Sequence, residues 1–386
     1  CLCWTCSTKI KIVKNIFTSF KEEYVYDSPY NWPPSDLHVN DFNGDGIDDV
    51  IVTSTNNHLC GSYNGDFYGD ILPVQIYYIN NDGSFEVASI TSPTTAHDLA
   101  SGDIDNDGDI DIVYWGHFLF EQGDYDEEGR PFIYLNSGSG NFVEATRNDY
   151  FINYDEMLVS IGWDRTNYWN ERTGALFNLS INLFDLNNDG ILDMVVGGDE
   201  WEAATDFEGK SCDDFGFFKR LCNNGYVPGL RVFWGQGDGK FDFYDYSDVP
   251  NVWMPDQQLL EHKTYYMGIA FKDYNNDGYY DIIASGTPKY FGEFIHIGKN
   301  NGDKTFEDVT RELVDIYYTN HGNQGGPNAM GVGNPSYTIL MIYDKDNDGD
   351  YDIIPSESEW SYITGPWNGD FYFQNNAGFY SRVYEE

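Results

Sequence analysis

An acidic nonapeptide with the pattern D-x-[DN]-x-D-G-x-x-D recurs five times along the chain, and every copy runs directly into an apolar segment. The first copy stands in "DFNGDGIDDVIV" at residue 41, and the others begin at residues 103, 185, 273 and 344. Self-similarity of this kind is the signature of a repeat architecture, in which each repeat builds one supersecondary unit. The chain is therefore expected to fold as a series of similar units.

A second pattern follows each acidic copy: an aromatic-rich run, a turn of Asn, Asp and Gly, and then Phe. Asn/Gly turns between β-rich runs predict hairpins. Each unit then supplies four strands, one entering the acidic loop, one leaving it and two from the hairpin. The five hairpin segments read "VQIYYINNDGSFEV", "FIYLNSGSGNFVEA", "RVFWGQGDGKFDFY", "IHIGKNNGDKTFED" and "FYFQNNAGFYSRV".

Four-stranded units repeated along a chain predict an all-β fold, a β-propeller in which blade packs against blade and a loop of this kind lies in each recognisable blade. Five blades are recognisable, and up to seven exist if degenerate blades lie in the insertions at about 145–180, 200–228, 247–265 and 313–335. A blade of roughly 40–60 residues carrying insertions fits the spacing of the copies. The predicted propeller domain covers residues 31–386.

Residues 1–30 form a separate N-terminal segment, a Cys-rich tail followed by a stretch of β-like character. Three arrangements stay open for this orphan strand segment: it completes a blade, forms a small extra sheet, or pairs with a neighbouring molecule.

The acidic loops predict structural calcium sites, about five in number. Oxygen ligands at positions 1, 3 and 5, a backbone carbonyl near position 7 and a final carboxylate describe a cage for a hard cation, and the Gly at position 6 permits the sharp turn. The predicted ligand positions are Asp41, Asn43, Asp45, Ile47, Asp49; Asp103, Asp105, Asp107, Asp109, Asp111; Asp185, Asn187, Asp189, Ile191, Asp193; Asp273, Asn275, Asp277, Tyr279, Asp281; Asp344, Asp346, Asp348, Asp350 and Asp352.

Two alternatives fit the loops less well than a calcium site between strands: a helical EF-hand and a magnesium site. An EF-hand needs a twelve-residue loop that ends in Glu between helices, whereas here the last ligand falls at position 9 and a β-type run follows. Magnesium keeps several waters rather than accepting a full protein cage. A solvated Asp/Asn/Gly turn explains one copy but not five copies with matching flanks.

The loops and the strands that follow them resemble FG-GAP/VCBS repeats, the calcium-loop propeller repeats also seen in integrin α-subunit heads. The best matches are "SGDIDNDGDIDIVYWG" and "FKDYNNDGYYDIIASGTP", and the resemblance covers roughly residues 36–384. It implies calcium-loaded blades, usually in extracellular adhesion or ligand-binding proteins or in carbohydrate-active enzymes. The chain departs from the family in repeat length and in its long insertions.

The formal charge of −43 limits the partners. A surface of this sign repels phosphate backbones and anionic headgroups, so nucleic acid and membrane surfaces are poor partners. No run of about 18 apolar residues exists, which predicts no membrane span. The expected partners are other extracellular proteins, glycans or copies of the chain itself in a homopolymer.

Cysteine content and one glycosylation sequon indicate an extracellular or cell-surface protein. An even set of cysteines predicts disulfides formed outside the cytosol, with the 212–222 pair bracketing a short loop; a zinc or redox cluster in "CLCWTC" is the alternative. Asn178 begins the sequon Asn-Leu-Ser and predicts a secreted glycoprotein. The disulfide candidates are Cys212, Cys222, Cys1, Cys3, Cys6 and Cys60.

The sequence favours a non-enzymatic role. It contains no G-x-S-x-G, H-E-x-x-H or phosphate-loop motif. Its seven histidines lack ligand spacing, and although His97 and His117 flank the second loop, a structural role is favoured for them. Three functions follow: a calcium-stabilised adhesion or interaction module, a subunit of an extracellular fibre or surface layer assembled through the N-terminal segment, or a calcium-dependent polysaccharide lyase or glycosidase.

Overall fold

In this computed structural model, strands account for nearly all the regular structure of the described residues. It describes residues 9–16, 19–27, 34–54, 73–90, 95–117, 131–145, 147–153, 177–199, 230–252, 264–288, 292–315, 318–320, 337–357 and 371–384.

Five sheets each contain an antiparallel meander of four strands, and one acidic loop joins the first two strands of each meander. Sheet I contains β3 (Pro34–Asn40), β4 (Asp49–Ser54), β5 (Val74–Ile79) and β6 (Phe85–Ile90). Sheet II contains β7 (Thr95–Gly102), β8 (Asp111–His117), β9 (Pro131–Asn136) and β10 (Phe142–Glu144). The short helix α1 (Arg147–Tyr150) follows sheet II.

Sheet III adds a fifth strand to the same pattern, because β11 (Phe151–Ile152) pairs in parallel with β15. Its other strands are β12 (Phe177–Phe184), β13 (Asp193–Asp199), β14 (Leu230–Gly235) and β15 (Phe241–Asp248). Sheet IV contains β16 (Thr264–Lys272), β17 (Asp281–Pro288), β18 (Gly292–Asn300), β19 (Phe306–Asp308) and β20 (Tyr318–Asn320), with helix α2 (Thr310–Leu313) after β19. Sheet V contains β21 (Tyr337–Tyr343), β22 (Asp352–Glu357), β23 (Phe371–Asn376) and β24 (Phe379–Tyr384).

The predicted four-strand unit is confirmed in these sheets. In each of them, strands one to four follow chain order as an antiparallel meander, and the predicted hairpin forms the third and fourth strands. The chain divides into two compact units: Cys1–Tyr150 with Gly237–Lys240, and Phe151–Gln236 with Phe241–Glu386.

In the first unit, sheets I and II share a core. Side chains alternate between the two faces of a strand, so Ile51 points toward sheet II while Val50 and Val52 lie in a second apolar cluster with Tyr77. Burial on both faces explains why the segment after each acidic loop is continuously apolar rather than alternating. Tyr114 of sheet II stacks on Phe132 at a centroid distance of 5.0 Å within the shared core.

The second unit packs sheets III, IV and V in the same manner. One core cluster contains Trp234 of sheet III, Ile282 of sheet IV and Phe373 of sheet V. The first strand of each later sheet contacts the sheet before it, β16 against β12 and β13, and β21 against β16 and β17. Consecutive sheets of this unit therefore bury their faces against each other.

The N-terminal segment forms a small sheet of its own. Strands β1 (Lys9–Ile16) and β2 (Ser19–Asp27) pair antiparallel, with a register shift between Ile12 and Val13, and neither pairs with a third strand among those described. Among the described strands this segment forms a small extra sheet, and its pairing with a neighbouring molecule stays a prediction. In the part of the chain that the structure covers, no helix is long and apolar enough to cross a membrane.

Candidate metal centres

The acidic loops share one backbone shape that accounts for their Asn and Gly content. Position 4 is Gly44 or an asparagine, and its φ lies between 57° and 75° in all five loops. Position 6 is always Gly, with φ between 83° and 99°. A Cβ built on any of these five position-6 glycines meets nothing within 4 Å, so the left-handed backbone rather than crowding selects glycine there. Asparagine, found at position 4 in the other four loops, is one of the few non-glycine residues enriched in this region.

Position 1 closes each loop by accepting backbone hydrogen bonds. In the first loop, Asp41 accepts from the N–H of Asp45 at 3.1 Å through Oδ1 and from the N–H of Gly46 at 2.8 Å through Oδ2. The position-5 carboxylate then accepts from the N–H of Ile47 at 2.9 Å. The corresponding three bonds are present in the other four loops. The loop's own hydrogen bonds thus orient the carboxylate oxygens of positions 1 and 5.

Position 9 is a clasp between three segments of a sheet. Asp49 is fully buried; its Oδ2 accepts from the N–H of Phe42 at 3.1 Å and its Oδ1 from the N–H of Ile79 at 2.8 Å. It thereby ties the start of the loop to the end of the third strand. The same two bonds are made by the other four buried position-9 residues, Asp111, Asp193, Asp281 and Asp352.

Burial makes ionisation of these clasps costly without a cation. Desolvation raises the pKa of Asp193 and of Asp281 to about 7, with further contributions from acidic loop neighbours and against the lowering effect of the backbone bonds. Desolvation likewise raises the pKa of Asp111 to about 6. The pKa of Asp105 is raised by desolvation and then by the charge of Asp107.

The donor set fits a hard divalent cation. In loop 2, Asp103, Asp105 and Asp111 each offer a carboxylate oxygen, and these oxygens lie within 4.8 Å of one another. In loop 5, a different trio converges in the same way, Asp344, Asp346 and Asp348 at positions 1, 3 and 5. Among the described residues, no ion pair joins a Lys, Arg or His to a loop ligand. Converging carboxylates without a basic partner suit calcium, which takes six to eight oxygen ligands in a flexible shell.

The structure describes the predicted glycosylation sequon but not the predicted disulfide cysteines. Asn178 lies on β12 opposite Gly198, and the third residue of its sequon, Ser180, is buried. The six cysteines lie outside the described residues, so their pairing stays a prediction.

A set of asparagines at the ends of third strands has a role that the sequence pattern does not predict. Asn136 and Asn300 are 5% and 1% exposed, and each donates from Nδ2 to carbonyls of two different acidic loops. Asn375 occupies the corresponding position in sheet V. The available signal is an Asn just before the hairpin turn in three of the five units, which by itself indicates only turn chemistry.

One histidine sits in the core of sheet IV. His296 is fully buried, its Nδ1 lies 2.9 Å from the Tyr266 hydroxyl oxygen, and its Nε2 lies 3.8 Å from the Asp308 carboxylate. Desolvation lowers the pKa of His296 to about 4, although Asp308 opposes this, so the ring is neutral at physiological pH. It has no solvent access, and its environment is that of a structural core residue.

Comparison with known families identifies the repeat in one part of the chain. Residues 41–114 match the FG-GAP-like repeat family, a span that contains the first two acidic loops. No curated protein sequence matches the chain. Similar solved structures include one described as the crystal structure of BBS1N in complex with ARL6DN, soaked with lead, at 9% identity and a TM-score of 0.39 over 91% of this chain and 71% of that one. A likeness at that level establishes neither a shared fold nor a shared partner.

Proposed function

We propose that this chain, which carries an FG-GAP-like repeat at residues 41–114, is a calcium-stabilised β-propeller that works outside the cell as a non-enzymatic interaction module. Its partners are other extracellular proteins or glycans. The five sheets supply five blades, and the acidic loops supply one cation site to each. Support for the propeller arrangement comes from the face-to-face packing of consecutive sheets within each unit.

One observation carries the calcium proposal: all five loops have the same backbone turn and the same clasp. A solvated turn has no reason to keep the position-1, position-5 and position-9 carboxylates in one arrangement five times. Calcium would be held by the side-chain oxygens of positions 1, 3, 5 and 9 and by the carbonyl at position 7 of each loop. When bound, it neutralises carboxylates that otherwise repel one another.

The cation would act on the fold rather than on a substrate. Five divalent ions would remove about ten of the 43 excess negative charges, at the places where those charges are densest. Each loop lies between two strands of its sheet, and its position-9 clasp reaches a third strand. Filling the site therefore stabilises three strands together, because binding to the folded state alone shifts the unfolding equilibrium.

Calorimetry of the full chain with calcium and with chelator tests this proposal. One site at a free concentration 100 times its dissociation constant contributes about 2.7 kcal/mol, so removal of calcium is expected to lower the melting temperature by about 10 °C or more. The same experiment with magnesium in place of calcium is the control and should give a smaller shift. An unchanged melting temperature in chelator would refute the calcium proposal.

A glycan array and pull-down with the calcium-loaded chain test the interaction role. Retention of a defined glycan or protein, lost in chelator, is the expected result. Turnover of a polysaccharide by the same preparation would instead favour a carbohydrate-active enzyme.

The separate β1–β2 sheet favours a second candidate, self-assembly into a fibre or surface layer. A two-stranded sheet with no further partner among the described strands presents backbone groups at its edges, which is a known route to pairing with another chain. Sedimentation of the full chain against a chain lacking residues 1–30, and against Ile12→Pro, tests it. Assembly that survives both changes would rule out this route.

A further inference from the structure

A single buried side-chain amide connects the first two acidic loops. Asn136, at the end of the third strand of sheet II, donates from Nδ2 to the Phe42 carbonyl at 2.7 Å and to the Ile110 carbonyl at 3.1 Å. Phe42 is position 2 of loop 1, and Ile110 is position 8 of loop 2. Both acceptors therefore lie next to predicted ligands, but of different cation sites.

Further hydrogen bonds of Asn136 fix the position of its side chain. Its backbone N–H donates to Asp111 at 2.8 Å, and its Oδ1 accepts from the N–H of Gly138 at 3.2 Å. On the opposite side of the same residue of loop 1, the Phe42 N–H is held by Asp49 at 3.1 Å. The clasp residues of two sites are thus joined through the Phe42 residue and one amide side chain.

Loops 3 and 4 repeat this connection. Asn300 donates from Nδ2 to the Leu186 carbonyl at 2.7 Å and to the Tyr280 carbonyl at 3.1 Å, and its N–H donates to Asp281 at 2.8 Å. A second contact supports it, because Asn188 donates from Nδ2 to the Gly278 carbonyl at 2.9 Å.

The other three sheets have a different residue or a different bond at the equivalent place. Residue 79 in sheet I and residue 235 in sheet III make the equivalent backbone bond to a clasp carboxylate, but they are Ile and Gly. In sheet V, Asn375 donates from Nδ2 to the Tyr351 carbonyl of its own loop at 3.2 Å. The two-loop connection is therefore described for loops 1 and 2 and for loops 3 and 4.

We propose that the cation sites of loops 1 and 2, and those of loops 3 and 4, are positively coupled through Asn136 and Asn300. This inference rests on the proposed calcium binding. Ordering of one loop by its cation fixes the position-2 carbonyl, which fixes the amide and with it the neighbouring clasp. The second cation then binds a loop that is already partly ordered, so its binding loses less conformational entropy.

The sign of the coupling separates this route from simple electrostatics. A cation in loop 1 adds positive charge near loop 2 and, by Coulomb repulsion alone, weakens binding there. Coupling through the amide has the opposite sign, so loss of the loop 1 site should weaken loop 2. A mechanical link and direct charge repulsion thus give opposite results in the same measurement.

Hydrogen exchange of the full chain during a calcium titration tests the inference loop by loop. The reporter is the peptide covering residues 103–111, where the N–H groups of Asp107 and Gly108 bond to Asp103. Asp45→Ala removes a ligand of loop 1. It is expected to raise the calcium midpoint for protection of loop 2 by about threefold to tenfold.

Asn136→Asp then removes both connecting donors while keeping the shape of the side chain. In this background, Asp45→Ala is expected to shift the loop 2 midpoint by less than about twofold. The matched control is Asn141→Asp, which adds the same charge in the same hairpin at an exposed residue whose Nδ2 donates to Ser139 at 2.8 Å. The control chain should retain the full shift.

Each outcome bears either on the coupling or on calcium binding itself. An unchanged or lower loop 2 midpoint in the Asp45→Ala chain overturns the coupling while leaving calcium binding intact. A full shift that persists with Asn136→Asp overturns the assignment to Asn136. Absence of calcium-dependent protection in every acidic loop overturns the proposed function itself. Should Asn136→Asp fail to fold, Asp189→Ala with Asn300→Asp, read at loop 4 against Asn301→Asp, decides in the same way.

Discussion

Two single substitutions at adjacent aspartates of loop 1 distinguish the stability contributed by the position-9 clasp from the effect of removing one negative charge. Asp49→Ala removes a fully buried carboxylate that accepts from the N–H groups of Phe42 and Ile79. Asp48→Ala makes the same chemical change one residue earlier, at an exposed position. Both substitutions relieve one negative charge, so any difference between them reports the clasp.

The expected size follows from the two donors left behind. A buried donor without a partner costs about 1–3 kcal/mol, so the loss of a partner for both donors in Asp49→Ala should lower the free energy of unfolding by about 2–6 kcal/mol. The substitution also removes the cost of burying a carboxylate, since burial raises the pKa of Asp49. This offsets part of the lost stability, so we expect a value in the lower half of the range. Asp48→Ala should stay within about 0.5 kcal/mol of the parent, as exposed substitutions usually do.

Calorimetry in excess chelator is the appropriate assay, because it removes any contribution of bound calcium from both variants. For a folding unit of about 150–250 residues, the difference corresponds to a melting temperature lower by about 5–10 °C in Asp49→Ala. A circular dichroism spectrum of each variant at low temperature checks that both chains fold. Equal melting temperatures for the two variants would show that the carboxylate is not a clasp and would refute the reasoning.

Two further predictions concern sheets III and IV. Burial raises the pKa values of Asp193 and Asp281 to about 7, so the folded state holds their protons more tightly than the unfolded state does. Their contribution to the free energy of unfolding is therefore complete below about pH 4 and is lost as the pH rises to about 7. The calcium-free melting temperature should therefore fall across that window while stabilisation by calcium grows; a calcium-free curve that rises through the upper part of the window would contradict it. Gly235→Ala should cost about 1–3 kcal/mol in urea unfolding, because its Cβ would lie 2.4 Å from the Leu192 carbonyl oxygen and 2.6 Å from Cγ2 of Ile191; an unchanged midpoint would contradict the close packing.

The repeat pattern predicts the strands well because its signals are local. An acidic loop followed by a β-branched run, and an Asn/Gly turn after an aromatic run, each specify backbone conformation over a few residues. The segments "LHVND" and "PVQIYYIN" of the first unit correspond to β3 and β5. Within the segment of β-like character at residues 7–30, the structure describes β1 and β2. The sequence leaves the partners of these strands open, because pairing between strands is a choice among distant segments.

The site can be predicted at the level of residue types but not of roles. All five position-9 aspartates are expected as ligands, and the structure shows in addition that both oxygens of each one hold backbone N–H groups of separate segments. Asn136 carries no signal of its second partner, since Phe42 is 94 residues away in the chain. A side chain that bonds across such a distance can be recognised only when the sheets are packed.

Sequence alone determined that this chain is a β repeat protein with one acidic turn per unit, because the sharp turn requires Gly at position 6 and the acidic positions recur at fixed spacing. Tertiary structure decided which carboxylates are buried, which of them join separate strands, and which amides connect one loop to the next. Those properties depend on desolvation and on contacts between residues far apart in the chain, and neither is encoded in any nine-residue segment.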